Sequence, residues 1–191
     1  MKCLMCESLS LKHICHSCQE LYLTPQIYKR QLPSNIQVIS FYKYEEIKEL
    51  LHTKHTEIGF HIYNILANRS MKLFTDEFHF ESEVVAIAID DNVKSGYSHT
   101  AILAKQLKSK SIKPLFNRLR AKNTISYSGK SQKFRLQNPR NFSLNMFKEQ
   151  NVILVDDIVT TGTTLNEAIK DLQKAGKEVL FCLTLCDVGA K

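Results

Sequence analysis

The sequence predicts an α/β fold, a mostly parallel sheet flanked by helices, with a small zinc-binding finger at its N-terminus. Three observations carry this expectation. Val84-Val85-Ala86-Ile87-Ala88-Ile89 and Val152-Ile153-Leu154-Val155 are continuous aliphatic runs, as suits parallel strands covered on both faces. Segments with apolar residues at helical spacing lie around them. The chain opens with Cys3-x2-Cys6-x8-Cys15-x2-Cys18. A chain of 191 residues can bury one ordinary core beside a small appendage, which divides it into a finger at 1–32 and a main domain at 33–191.

Each C-x2-C knuckle can present two thiolates to one ion, and four thiolates close a tetrahedral structural zinc site. A closed site leaves no position for substrate, so the metal supplies folding energy to a segment too short for a core. Cys3, Cys6, Cys15 and Cys18 are the ligands expected, with His13 and His16 as alternatives for one of them.

Leu32-Pro33-Ser34-Asn35 reads as a linker and Ile36 to Tyr42 as a strand. Ile47, Leu50 and Leu51 then recur at helical spacing, Lys54-His55-Thr56 interrupts, and Ile58, Ile62, Ile65 and Leu66 form the inner face of a second helix. The strand at Val84–Ile89 ends in Asp90-Asp91, and Ser98 is a natural N-cap for a helix with Ile102, Leu103 and Leu107 inside. Ile112 to Phe116 reads as a short strand, placed near an edge by Pro114. Residues 117–145, basic and poor in aliphatics, read as a mobile flap over the ligand crevice. Leu165, Ile169 and Leu172 give a helix closed by Gly176, and 178–187 is the last strand, with Cys182 and Cys186 in the core.

The chemistry concentrates where the strand at Val152–Val155 ends. Open parallel sheets bind ligands at the C-terminal ends of their strands. Asp156 and Asp157 can accept hydrogen bonds from two vicinal hydroxyls or hold a divalent cation, while Thr160 to Thr164 offer N–H groups and hydroxyls at a helix N-terminus, where the dipole favours an anion. A diol at one end and a phosphate at the other describe a ribose 5-phosphate. The alternative is that Asp157 merely caps a helix and Gly162 only makes a turn.

This run resembles the phosphoribosyl pyrophosphate (PRPP) signature of type I phosphoribosyltransferases. The resemblance implies a site running through Asp156, Asp157, Ile158, Val159, Thr160, Thr161, Gly162, Thr163 and Thr164. The acids would meet the ribose 2′ and 3′ hydroxyls, the threonines and Gly162 would cradle the 5′-phosphate, and magnesium would accompany PRPP. Lys54, after the first strand, falls where such enzymes carry a pyrophosphate-binding loop. A four-cysteine finger ahead of this body is similar to the competence protein F (ComF) family, which accompanies uptake of transforming DNA in bacteria. Gly96-Tyr97-Ser98-His99 stands where that family has Arg-Gly-Phe-Asn-Gln, with Ser95 in place of the arginine and His99 in place of the glutamine. Leu119-Arg120, Gln132, Arg135, Asn138 and Phe142 fall in the order of the family's motif positions.

The net charge of +7 is unevenly spread. From Asn92 to Lys148 inclusive there are thirteen Lys and Arg residues and no Asp or Glu, a field that recruits polyanions. Aromatic rings among positive charges suit single-stranded DNA, with bases stacking and phosphates pairing. The residues expected to touch DNA are Lys94, Tyr97, Arg118, Arg120, Lys122, Tyr127, Lys130, Lys133, Phe134, Arg135 and Arg140. No apolar run approaches the roughly 18 residues of a membrane span, and Met1 to Cys6 lacks the apolar core of a signal peptide. A cytoplasmic protein is expected, reaching the inner membrane through DNA-uptake partners. Two function classes follow: a single-stranded DNA handling protein that binds PRPP or a related sugar phosphate, and an active phosphoribosyltransferase of nucleotide metabolism using Mg-PRPP. The acceptor-selecting residues that the second class needs are not identifiable in the sequence.

Overall fold

The computed structural model describes residues 1–90, 96–123, 125, 127 and 129–190. In chain order the elements are α1 (His16–Tyr22), β1 (Tyr28–Gln31), β2 (Gln37–Lys43), α2 (Tyr44–His52), a 3-10 turn (Thr53–His55), α3 (Glu57–Arg69), α4 (Met71–Glu77), β3 (Val84–Asp90), α5 (His99–Gln106), β4 (Ile112–Ala121), α6 (Gln132–Gln137), β5 (Phe142–Leu144), β6 (Asn151–Val159), α7 (Thr163–Lys174) and β7 (Glu178–Asp187). The strands make one seven-stranded sheet in the order β1-β2-β7-β6-β3-β4-β5. The five inner strands are parallel, and β1 and β5 close the two edges antiparallel.

The continuous aliphatic run of β6 has a direct cause. Successive strand side chains point to opposite faces, and here both faces are covered. Ile153 and Val155 join a core with Ile47 of α2, Ile62 of α3, Phe74 of α4 and Leu103 of α5. Val152 and Leu154 join a second core with Leu165, Ile169 and Leu172 of α7. The sheet is thus a central layer between helices, with the C-terminal ends of β6 and β7 delivered to one rim.

Several elements differ from expectation. Tyr28–Gln31, expected within the N-terminal module, pairs with β2 and belongs to the main sheet. The helix α4 was not expected. The strand β4 runs on to Ala121, past the expected end at Phe116, because a bulge interrupts its pattern: Ile87 pairs with Leu115 but Ile89 with Leu119, and Asn117 has φ 55°. Arg118 and Arg120 therefore belong to a strand. Pro114 is tolerated because β5 pairs only with Leu119–Ala121, so its missing N–H costs no bond to β5. The rest of the basic segment is not featureless, since it carries α6 and leads into β5.

The finger is packed on the body. Cys3, Ile14, Cys18 and Leu23 are buried in the same core as α3. His13 stacks on His61 with ring centroids 4.3 Å apart, and Arg69 pairs with Glu20 at 2.6 Å. Among the described residues no helix is long and apolar enough to cross a membrane.

Candidate functional site

At the C-terminal end of β6 the two acids are treated differently. Asp156 is half-buried and accepts the Asp157 N–H at 2.9 Å. Asp157 is 7% exposed, and its Oδ2 lies within reach of Lys54 Nζ at 3.1 Å, Tyr63 OH at 3.3 Å and His99 Nε2 at 3.4 Å. Burial alone would push its carboxyl up, but the Lys54 charge, followed by His99, outweighs this and holds it well below the usual carboxylate range. Burial, followed by the Asp157 charge, drives the Tyr63 hydroxyl well above its ordinary value, so it stays a donor.

Lys54 reaches this point because α2 and α3 are joined by a tight turn. Thr56 caps α3 by accepting the Gly59 N–H at 3.2 Å. A Cβ at Gly59 would collide with the Thr53 carbonyl and the Tyr97 hydroxyl, which is why the residue is glycine. The Tyr97 hydroxyl donates to the Lys54 carbonyl at 2.8 Å, so this ring, expected to stack on bases, braces the lysine turn.

The turn after β6 leads directly into the N-terminus of α7, and it is the turn expected to cradle a phosphate. Gly162 is the N-cap of α7 with φ 75°, a left-handed conformation that favours glycine. The N–H groups of Thr161, Gly162 and Thr164 have no acceptor among the described residues, at a helix terminus where the dipole favours negative charge. Asp157 does not cap the helix. Ile158 is half-buried and Val159 is buried, and both pack the end of the strand into the core.

Two guanidinium groups grip Thr160. Arg30 donates to its carbonyl and pairs with Asp187, while Arg135, carried by α6, donates to its hydroxyl. The basic segment is therefore bound to the rim of the cradle. It is also tied to α7, since Glu167 accepts the N–H groups of Arg140 at 2.9 Å and Asn141 at 2.6 Å. Partial burial, then the neighbouring Arg140 charge, lowers the Arg135 pKa. Its other bonds run to the carbonyls of Lys130 and Tyr127, and no carboxylate lies within ion-pair distance among the described residues.

The residues expected to contact DNA fall into different environments. Arg120, Lys122, Lys130 and Lys133 are exposed. Phe134 is half-buried with Lys130 Nζ 5.4 Å from its ring centre. Arg118 is half-buried and donates to the Met146 carbonyl at 3.0 Å. Tyr127 is 6% exposed with the Arg140 guanidinium 3.9 Å over its ring, so the ring is a packing element of the segment. Lys94 lies outside the described residues, as does Ser95.

In the finger the four cysteine sulfurs lie within 4.8 Å of one another, and Cys6 and Cys15 are 3.7 Å apart. That separation matches the edge of roughly 3.8 Å of a tetrahedron with Zn–S bonds of about 2.3 Å. Donor set and geometry fit zinc. Cys15 N–H donates to Cys3 Sγ at 3.3 Å and Met5 N–H at 3.5 Å. Led by the Cys15 bond, these donors lower the Cys3 thiol to about 6, towards the thiolate a metal requires. His13 stacks on His61 and exposed His16 lies 3.8 Å from Glu20, so both histidines are engaged elsewhere. Among the described residues no group of three acids or histidines gathers closely enough to form a second metal site.

Tyr63, Arg30, Glu167 and Asp187 were not foreseen. No motif marks their roles in the sequence: the sheet brings Arg30 and Asp187 to the rim, while Tyr63 and Glu167 are presented by α3 and α7.

A model of the phosphoribosyl transferase domain family matches residues 57–191. Competence protein F of Haemophilus influenzae is 42% identical over 92 residues, covering 44% of this chain and 40% of that protein. An orotate phosphoribosyltransferase of Novosphingobium aromaticivorans is 43% identical over 51 residues, 27% of this chain and 25% of that one. The chain thus spans less than half the length of either relative. The crystal structure of orotate phosphoribosyltransferase from Aeropyrum pernix is similar with a TM-score of 0.41 and 18% identity, over 91% of this chain and 81% of that one.

Proposed function

The chain belongs to the phosphoribosyl transferase domain family, and from that premise we propose that the turn at Thr160–Thr164 holds the 5′-phosphate of PRPP or a related phosphorylated sugar, while the basic surface beside it binds single-stranded DNA during DNA uptake. The observation that carries the first half is the row of N–H groups at Thr161, Gly162 and Thr164 without acceptors, next to a half-buried Arg135 without a carboxylate. An anion placed there would satisfy both at once. Asp156 is the acid assigned to the sugar, because Asp157 Oδ2 already accepts from Lys54 and Tyr63, with His99 Nε2 3.4 Å away, and leaves only Oδ1 for a ribose hydroxyl. A diphosphate entering beside Lys54 would compete with Asp157 for the ammonium. Magnesium would arrive with the diphosphate, whose charge it neutralises, because no preformed acidic cluster gathers here among the described residues.

The DNA half rests on the acid-free stretch between Asn92 and Lys148, on the exposure of Arg120, Lys122, Lys130 and Lys133, and on the likeness to competence protein F. Of the three rings assigned to DNA, Phe134 is the one engaged neither by the lysine turn nor by Arg140. In this reading the protein works in the cytoplasm, reaching uptake proteins at the inner membrane by contact. A second reading, transfer of the ribosyl group from Mg-PRPP to an acceptor, is favoured by the family match. Positioning and charge stabilisation of a departing diphosphate are within the means of Lys54 and the turn. Calorimetric titration with Mg-PRPP and anisotropy with a labelled single strand test the first reading. Undetectable binding of both sinks it, and PRPP turnover with a free base but no DNA binding favours the second.

A further inference from the structure

The hairpin of β1 and β2 stands behind the cradle, although the family match begins only at residue 57. Three of its residues touch the turn or its helix. Arg30 Nη1 donates to the Thr160 carbonyl. Leu32 lies so close to Gly162 that a Cβ there would collide with its Cδ2. The Ser34 N–H donates to Asn166 Oδ1 at 3.3 Å, and Asn166 Nδ2 in turn donates to the Gly162 carbonyl at 3.0 Å. Arg30 is itself fixed by Asp187, whose side chain is 5% exposed and also accepts the Gly189 N–H at 2.6 Å.

The Thr160 carbonyl and the Thr161 N–H belong to one planar trans peptide, so they point in opposite directions. Holding the carbonyl towards Arg30 therefore turns the Thr161 N–H away from the hairpin and into the cradle. The Thr163 N–H, by contrast, is already taken up by the Thr161 hydroxyl at 3.4 Å. We propose that Arg30 is a positioning residue for phosphate binding, aiming the Thr161 N–H at the anion by holding the Thr160 carbonyl. This inference rests on the reading of the turn as a phosphate site. It assigns part of that site to a strand before the matched region. The planar guanidinium serves Asp187 and Thr160 together with separate donors, a geometry that a lysine ammonium does not reproduce.

The test uses the full chain, titrated calorimetrically with Mg-PRPP and with inorganic phosphate, in the wild type and in Arg30→Lys. Arg30→Lys keeps a charge for Asp187 but frees the Thr160 carbonyl. Binding of both ligands should weaken roughly tenfold, the loss of about one charged hydrogen bond. Thermal unfolding and zinc content should stay near wild type, while amide exchange across 160–164 without ligand should rise. Wild-type affinity in Arg30→Lys overturns the inference. Weakened binding with unchanged exchange also overturns it, because Arg30 would then touch the phosphate directly. Should Arg30→Lys fail to fold, Asp187→Asn keeps an acceptor for the guanidinium but loosens it. Unchanged affinity and exchange in Asp187→Asn would overturn the inference equally. A wild-type chain that binds neither ligand removes the phosphate-site reading itself, and this inference with it.

Discussion

Lys54 and Asp157, 103 residues apart in the chain, form an ion pair 3.1 Å long at the C-terminal rim of the sheet. Tyr63 and His99 complete the shell around the carboxylate. The pair makes the second acid of the signature a structural element of the rim, so the two adjacent acids should respond differently to substitution.

Asp157→Ala should destabilise the fold. Breaking a buried pair costs about 3–5 kcal/mol, and Lys54, whose side chain is 29% exposed, recovers part of its hydration, which brings the expected loss to about 2–3 kcal/mol. Urea unfolding of the variant checks this. A loss under about 0.5 kcal/mol, the usual range for an uninvolved surface site, would contradict the arrangement.

Asp156→Ala should weaken PRPP binding ten- to a hundredfold, corresponding to about 1.5–3 kcal/mol for a hydrogen bond to a charged acceptor. Calorimetry on the folded variant reads it. Unchanged affinity would remove Asp156 from the sugar site.

The depressed Asp157 carboxyl predicts an acid limb in stability. In the unfolded chain the group titrates near about 3.9, and in the folded chain well below the usual range. Between those values the unfolded state binds the additional proton, so stability rises with pH there. The contribution is fully present above the unfolded value and is lost as pH falls through the folded one. Denaturation free energies measured from neutral pH downwards should show the decline, and Asp157→Asn should flatten it. An identical pH profile in the variant would count against the assignment.

The finger should hold about one zinc per chain. Because Cys3 and Cys18 share the core of α3, chelation should lower the midpoint of the main unfolding transition instead of producing a separate early step. Elemental analysis and calorimetric scans with and without chelator decide it. Full zinc content in Cys3→Ser would show the site to be assigned wrongly.

Single-strand binding should be salt-dependent and tolerant of sequence. If about five cations contact phosphates, log K should fall against log salt with a slope of roughly −3.5. Replacing exposed Arg120, Lys122 and Lys130 together by Ala should flatten it by up to about two units, since each contact contributes about 0.7. Anisotropy across a salt series measures this, and a salt-insensitive signal would sink the proposed basic interface. Tyr127→Leu should disturb the packing of the segment through loss of its stacking with Arg140.

What the sequence determined alone is what lies contiguous along the chain. The aliphatic run, the acid pair, the threonine turn and the helix start of 152–164 follow one another because a strand, its rim and the next helix are consecutive in an α/β unit. The cysteine knuckles are legible for the same reason, since two ligands with only two residues between them share one turn. Tertiary structure decided everything that requires the neighbour order β1-β2-β7-β6. That order brings Arg30 and Asp187 to Thr160, and α3 and α5 bring Tyr63 and His99 to Asp157. It also decided which rings are available: Tyr97 and Tyr127 read as base-stacking surfaces by composition, but their hydroxyls and faces are engaged by Lys54 and Arg140. A residue type states which contacts a side chain can make, and the partners it finds depend on chain segments a hundred residues away, through burial and charge pairing that only the folded sheet creates.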